Sequence, residues 1–312
     1  MSDHDQSTQL APPAGAAEPG STKSDPILVV DNVVRHFGGM TAVDVGHLEV
    51  QRGVITALIG PNGAGKTTFF NLITGFDRPT AGAHWSFDGS ALDKTSASRV
   101  ARAGMVRTFQ LTKALNRMTV MDNMMLGARG QTGENLFLSW LKPLWSNQEK
   151  EIRDKALGLL ERFKLLDKQD DYAGSLSGGQ RKLLEMARAL MSDPKMIMLD
   201  EPMAGVNPAL TQSLLGHIQA LRDDGMTVLF VEHDMHMVRH ISDWVVVMAE
   251  GKLIAEGKAG EVMANPVVID AYLGAHHDTD LGDDALLEEG SDMEEQLADE
   301  VAEEETSRED QA

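Results

Sequence analysis

The stretch Gly60-Pro61-Asn62-Gly63-Ala64-Gly65-Lys66-Thr67-Thr68 constrains this chain more than any other. It fits the pattern G-x-x-x-x-G-K-[ST], and its setting restricts the fold. The apolar run VITALIG (54–60) before it reads as a buried strand, and KTTFFNLITG (66–75) after it reads as a helix that Gly75 is placed to end. A strand that feeds a helix through so short a loop belongs to a parallel α/β unit. The residue types follow from phosphate chemistry. Glycines let the backbone curl so that successive N–H groups point inward at phosphate oxygens, and the helix N-terminus adds favourable partial charge. Lys66 offers a point charge to the β- and γ-phosphates, and Thr67 offers a hydroxyl to Mg²⁺. Residues Gly60 to Thr68 are therefore expected to hold a nucleoside triphosphate. A chance glycine-rich turn would not account for the strand and helix on either side. Alone, the loop identifies neither the nucleotide nor the work done with it.

The rest of the chain is consistent with an α/β domain. MIMLD (196–200) and TVLFV (227–231) read as further buried strands. WVVVM, a turn at Glu250-Gly251-Lys252, and LIAEG read as a terminal hairpin. Strands alternating with helices predict a largely parallel sheet. Order is expected to begin near Ile27, in ILVVDNVVRHF, and to run to about residue 274. Residues 1–25 are rich in Ala, Pro, Gly and Ser, have little to bury, and are expected to be disordered. Between about 111 and 192 strand signals nearly vanish. Leu183, Met186, Ala187 and Leu190 mark one helix face there, which predicts a helical lobe inserted into the core.

Charge and composition exclude several function classes. The formal net charge is −20, and residues 278–312 hold 16 Asp/Glu and one Arg, a net of −15 that leaves −5 for the remainder. Acidity is thus a property of the tail, 275–312. The tail reads as a solvated, disordered terminus, with a regulatory arm as the competing reading. The basic footprint of a nucleic-acid-binding chain is absent. The chain has no cysteine, which excludes disulfides and thiol chemistry. No apolar run approaches the roughly 18 residues that span a bilayer, and MSDHDQSTQL lacks the pattern of a signal peptide. A membrane role would have to be peripheral, through a partner.

Two carboxylates end the strand at Asp200-Glu201. At a strand's C-terminal edge beside a phosphate loop, Asp200 is suited to hold Mg²⁺, and Glu201 to orient or deprotonate the attacking water. His233 follows the strand TVLFV in Val231-Glu232-His233-Asp234 and would come near the γ-phosphate from the same sheet edge. Gln110, in Arg107-Thr108-Phe109-Gln110, sits where core and lobe meet, within reach of the metal or the water.

The string Leu176-Ser177-Gly178-Gly179-Gln180 resembles the signature motif of ABC ATPases. Read locally it is a helix N-cap with exposed backbone N–H groups. Together with the loop, the acidic pair and His233, the resemblance covers roughly 27–274. It implies an ATP-hydrolysing, P-loop NTPase (RecA-like) core with an antiparallel β subdomain and an inserted helical subdomain. It makes Gln110 the Q-loop residue, His233 the switch histidine, and Ala204-Gly205-Val206-Asn207 the D-loop, where Asn207 departs from the Asp of many members. Phe37 matches the aromatic residue that stacks on adenine; a core phenylalanine is the competing reading. FGGMTAVD, RTFQ, MTVMDNMMLGA, EPMAGVNP, VEHDMHMV and NPVVIDAYLG further resemble the LivG type, the ATPases of importers for branched-chain amino acids and related solutes, with extra residues at about 130–150 that include Trp140 and Trp145. Urea-importer and lipopolysaccharide-export ATPases are close relatives. ABC ATPases that act on DNA or ribosomes usually carry coiled-coil arms or two ATPase domains, and neither is visible.

One loop and one signature per chain imply, by the same resemblance, a head-to-tail pair of ATPase subunits, identical or related, with two ATP molecules between them. Ser177 and Gly179 would meet the γ-phosphate held by the partner. The pair would work at the cytoplasmic face of the membrane, on permease subunits that a solute-binding protein supplies. The stretch 111–126, with Leu115, Met118, Met121, Met124 and Met125, is expected either to receive a permease helix or to be lobe core.

Overall fold

The structure is a computed structural model that describes residues 18–80, 82–92, 95–108, 115–129 and 142–277. Gln110 and Trp140, like residues 1–17 and the acidic residues 278–312, lie outside the described residues.

Strands β1 (Pro26–Phe37) and β2 (Met40–Gln51) form a long antiparallel hairpin, with pairs such as Phe37↔Met40 and Val33↔Val45. Together with β4 (His84–Phe87) and β5 (Ser90–Ala91) they make an antiparallel sheet of order β2-β1-β4-β5. The second sheet contains β3 (Ile55–Ile59), β6 (Met105–Arg107), β7 (Met196–Asp200), β8 (Thr227–Val231), β9 (Trp244–Ala249) and β10 (Lys252–Gly257), in the order β10-β9-β3-β8-β7-β6. Its pairs are parallel except for the β9–β10 hairpin. Every residue of β3, β7 and β8 is buried, as expected where a parallel sheet is covered on both faces, and this is why they read as unbroken apolar runs.

Helix α1 (Lys66–Ile73) follows β3, and its Phe69, Phe70, Leu72 and Ile73 join both sheets in one apolar cluster with Val30, Trp85 and Met198. Helix α2 (Ala97–Ala103) precedes β6. The predicted helical lobe is present as α3 (Val120–Met125), α4 (Lys142–Arg162) and α5 (Gly178–Leu190). Among the described residues of 111–192 strand pairing is limited to one isolated bridge, Thr119↔Tyr172. Leu183, Met186, Ala187 and Leu190 are buried, as their spacing predicts. Helices α6 (Pro208–Asp223), α7 (Met235–Ile241), α8 (Ala259–Met263) and α9 (Pro266–His277) complete the order. The chain divides into two compact units at 271/272, and the described part of the second, Tyr272–His277, is the end of α9.

One expectation is corrected, and one that was open between two readings is narrowed. Residues 21–25, read as part of a disordered leader, are tied to the domain. The Lys23 N–H donates to Glu49 Oε2 at 2.6 Å, and Lys23 Nζ pairs with Glu256 at 3.3 Å and lies 4.1 Å over the Trp244 ring. A composition count cannot see one lysine that finds a buried carboxylate and an indole. In the methionine-rich stretch after Gln110, Val120, Met121 and Met124 are buried lobe core, while Leu115 and Leu126 are exposed. Helical spacing turned those methionines inward, against α4 and α5.

Candidate active site

Register builds the site. Leu58 and Asp200 both pair with Val231, so the C-terminal ends of β3, β8 and β7 lie side by side. Gly60, Glu201 and Glu232 each leave the sheet at this edge, where α/β folds place their ligands.

The loop after β3 is held by close backbone approaches that only glycine allows. Gly60 has φ 147° and Gly65 φ 97°. A Cβ at Gly60 would lie 1.9 Å from the Met248 carbonyl oxygen, and one at Gly65 2.3 Å from that of Ala42. Lys66 Nζ donates to the carbonyl oxygens of Gly60 at 2.6 Å and Pro61 at 2.9 Å, which pins the ammonium over the loop. Burial pushes the Lys66 ammonium below its ordinary range, and the charges of Glu201 and Asp200 oppose that.

A cleft of about 520 Å³ is lined by Phe37, Met40, Asn62 to Thr68, Glu201 and Glu250, among others. It thus brings together the adenine-stacking candidate, the phosphate loop and the candidate base. Phe37 is 46% exposed and carries the Arg35 guanidinium 4.5 Å above its ring, so it is not a core residue. Glu201 adopts φ 46°, uncommon for a non-glycine residue, and its N–H donates to the Val231 carbonyl at 3.0 Å. That hydrogen bond holds the end of β7 against β8, and the left-handed backbone at Glu201 turns the chain away from the sheet directly after Asp200.

Asp200 is buried, 3% exposed. Its Oδ2 accepts from Arg107 Nη2 at 2.5 Å, and its Oδ1 is buried with no hydrogen-bond partner. An unpartnered buried carboxylate oxygen calls for a cation or water, and the Thr67 side chain is exposed on the cleft. The donor set fits a hard divalent cation shared with phosphate oxygens.

The other candidates that fall among the described residues lie outside this cleft. The His233 side chain is 65% exposed and does not line the cleft. Ser177 to Gln180 start α5. The Ser177 Oγ accepts from the Gln180 N–H at 3.2 Å, and the Gln180 Oε1 accepts from the Ser177 N–H at 3.0 Å, a reciprocal cap. Ser177 and Gly178 are exposed. Gly179, expected to reach a partner's phosphate together with Ser177, is buried: a Cβ there would lie 2.4 Å from Leu210. Asn207 caps α6, its Oδ1 accepting from the Leu210 N–H at 2.9 Å.

Glu232 is a buried carboxylate beside the site that the sequence reading passed over. It is 1% exposed, and its two carboxylate oxygens accept the N–H groups of Met203 at 3.1 Å and His233 at 3.2 Å. Burial pushes its carboxyl above the ordinary range; the two N–H bonds and the His233 ring pull it back, and Glu201 adds to the rise. It thereby ties the turn after Glu201 to the histidine. A carboxylate between a buried strand and His233 was the available signal.

Residues 43–204 match the family described as ABC transporter, which spans the loop, the signature string and the acidic pair. The chain belongs to the ABC transporter family. As a member it is a nucleotide-binding, ATP-hydrolysing subunit of a transporter, working with permease subunits. Residues 252–278 match a second family, branched-chain amino acid ATP-binding cassette transporter. The chain is 43% identical to the probable branched-chain amino acid transport ATP-binding protein LivG of Archaeoglobus fulgidus, over 80% of this chain and 96% of that protein. It is 40% identical to the high-affinity branched-chain amino acid transport ATP-binding protein BraF of Pseudomonas aeruginosa, over 80% and 99% of the two chains. The ADP conformation of MJ1267, an ATP-binding cassette of an ABC transporter, superposes with a TM-score of 0.70 at 38% identity, covering 80% of this chain and 99% of that one. No helix among the described residues of this ABC ATPase is long and apolar enough to cross a membrane.

Proposed function

We propose that this chain is the ATP-hydrolysing motor of an importer for branched-chain amino acids or a closely related solute, seated on its permease at the cytoplasmic face of the membrane. The observation that carries the catalytic reading is the cleft that gathers Phe37, the loop through Thr68 and Glu201, with Asp200 ending the neighbouring strand. In this reading Phe37 stacks on adenine, and Lys66 and the loop N–H groups hold the phosphates. Asp200 Oδ1 and the Thr67 hydroxyl hold Mg²⁺, which when bound neutralises charge on the transferring phosphoryl group. Glu201 takes the proton of the attacking water. His233, braced by Glu232, and Gln110 are assigned to the γ-phosphate and to the water or metal. The ATPase domain is 26–274, with the helical lobe at 111–192.

The signature string does not line the cleft of its own chain. This supports a head-to-tail pair, in which Ser177 and Gly178 of each subunit face the nucleotide of the other and a solute-binding protein serves the permease. The names of the relatives and the match at 252–278 support the solute class. The test replaces Glu201 with Gln. Hydrolysis should fall at least ~10²-fold, ATP should remain bound, and a dimer should accumulate on size exclusion with ATP. A variant that turns over normally, or stays monomeric with ATP bound, refutes the reading. Proteoliposomes holding the reconstituted complex should take up leucine rather than urea; the reverse refutes the solute class.

A further inference from the structure

Arg107 joins three parts of the nucleotide site although no motif role falls on it. It ends β6 beside β7, in register with Met198, and its side chain is 4% exposed. One guanidinium nitrogen donates to Asp200 Oδ2 at 2.5 Å, and the other donates to Asn71 Oδ1 on α1 at 2.7 Å. The guanidinium carbon stands 5.4 Å from the centre of the Phe70 ring, also on α1. A planar fork held at both tips has little rotational freedom, so the plane of the Asp200 carboxylate is set by the helix that carries the phosphate loop. The oxygen left over is Oδ1, buried and without a partner.

We propose that Arg107 is a positioning residue for the metal-holding carboxylate: it ties down Oδ2 of Asp200 and presents Oδ1 to the divalent cation that accompanies ATP. The inference rests on the reading of Asp200 as a metal-holding group. Loss of a purely structural ion pair predicts something different: lower stability, because a buried carboxylate is left without its partner, but no selective loss of the metal-dependent part of ATP affinity. The strand that carries Arg107 is also the root of the segment bearing Gln110, since the Thr108 N–H donates to the Met198 carbonyl at 2.9 Å.

The experiment compares ATP affinity of the full-length protein with Mn²⁺ and with EDTA, so that the readout is the gain in affinity due to metal and not turnover. Arg107→Met should lose ~10-fold or more of that gain, the effect expected on removal of a partner that orients a ligand, while affinity in EDTA stays at the wild-type value. Arg107→Lys keeps the charge but not the planar fork and should recover only part of the gain. A wild-type metal gain in Arg107→Met overturns the proposal. Should that variant fail to fold, Asn71→Ala releases one tip of the fork and should show a smaller loss in the same direction; wild-type gains in both Asn71→Ala and Arg107→Lys would overturn it. Asp200→Asn separates the two claims. If it keeps the metal gain, the reading of Asp200 fails. If it loses the gain while Arg107→Met keeps it, the role of Arg107 alone fails.

Discussion

Replacing Gly60 with alanine tests whether the phosphate loop depends on a single backbone approach. Gly60 stands at φ 147°, and a Cβ there would lie 1.9 Å from the Met248 carbonyl oxygen, where real Cβ atoms are essentially never closer than 3.0 Å. The obstacle is main chain of β9, locked in parallel pairing with β3 through Ile59↔Val247, so it cannot rotate aside as a side chain would. Relief requires the end of β3 to move by about an ångström, and displacements of ~1 Å at an aligned site cost ~10²-fold. Forcing a side chain into this sparsely populated backbone region adds ~1–3 kcal/mol, equivalent to ~5–150-fold in an equilibrium constant. ATP affinity, measured by calorimetric titration, should therefore drop at least ~10²-fold. Gly63 is the control. It has φ 78°, but a Cβ there meets nothing within 4 Å. Gly63→Ala should show only the left-handed backbone cost of ~1–2 kcal/mol. If Gly60→Ala binds ATP as tightly as Gly63→Ala, the clash has no bearing on the loop and the reasoning fails.

Phe37→Ala should weaken ATP binding by ~1–3 kcal/mol, the worth of one base stacked on an aromatic ring, with melting temperature nearly unchanged because Phe37 is exposed; equal ATP affinity in a binding titration would remove it from the site. Glu232→Gln places an amide N–H against a backbone N–H and should cost ~1–3 kcal/mol in denaturant unfolding. Because burial raises the Glu232 carboxyl, the folded state holds that proton more tightly than the unfolded one. The cost of ionising it is absent below the ordinary carboxylate range and grows as pH rises through the raised value. The variant should lack this fall in stability with rising pH, and an unchanged slope in pH-resolved unfolding would contradict the assignment. Deleting residues 278–312 should leave ATPase activity largely intact in a phosphate-release assay, and its collapse would show that the acidic tail is not passive.

Much of the site was legible because its signals are local. Strands β7 and β8 match the apolar runs MIMLD and TVLFV residue for residue, since a strand buried on both faces leaves no polar position to blur its ends. The loop and α1 were legible because phosphate binding demands particular residue types in fixed order. Reciprocal capping at Ser177 and Gln180 is likewise an interaction across three residues. Residues whose work depends on a distant partner were not legible. Arg107 acquires its role only when β6 is laid against β7 and α1 arrives from the other side. Glu232 acquires its role when β7 and β8 bring their ends together. Lys23 looks like any solvated lysine until Glu256 and Trp244 surround it.

The sequence by itself therefore determined the chemistry: a triphosphate loop, an acidic strand end, an aromatic platform, and the signature string that placed the chain among ABC ATPases. Tertiary structure decided which of these share a cleft and which atoms are already taken. Phe37, the loop and Glu201 meet, while the signature string of the same chain stays out, and Asp200 has one oxygen engaged and the other unpartnered. The physical reason is that residue type sets what a group can bind, while strand order and register set what it can reach, and register is a property of pairs of strands far apart in the chain.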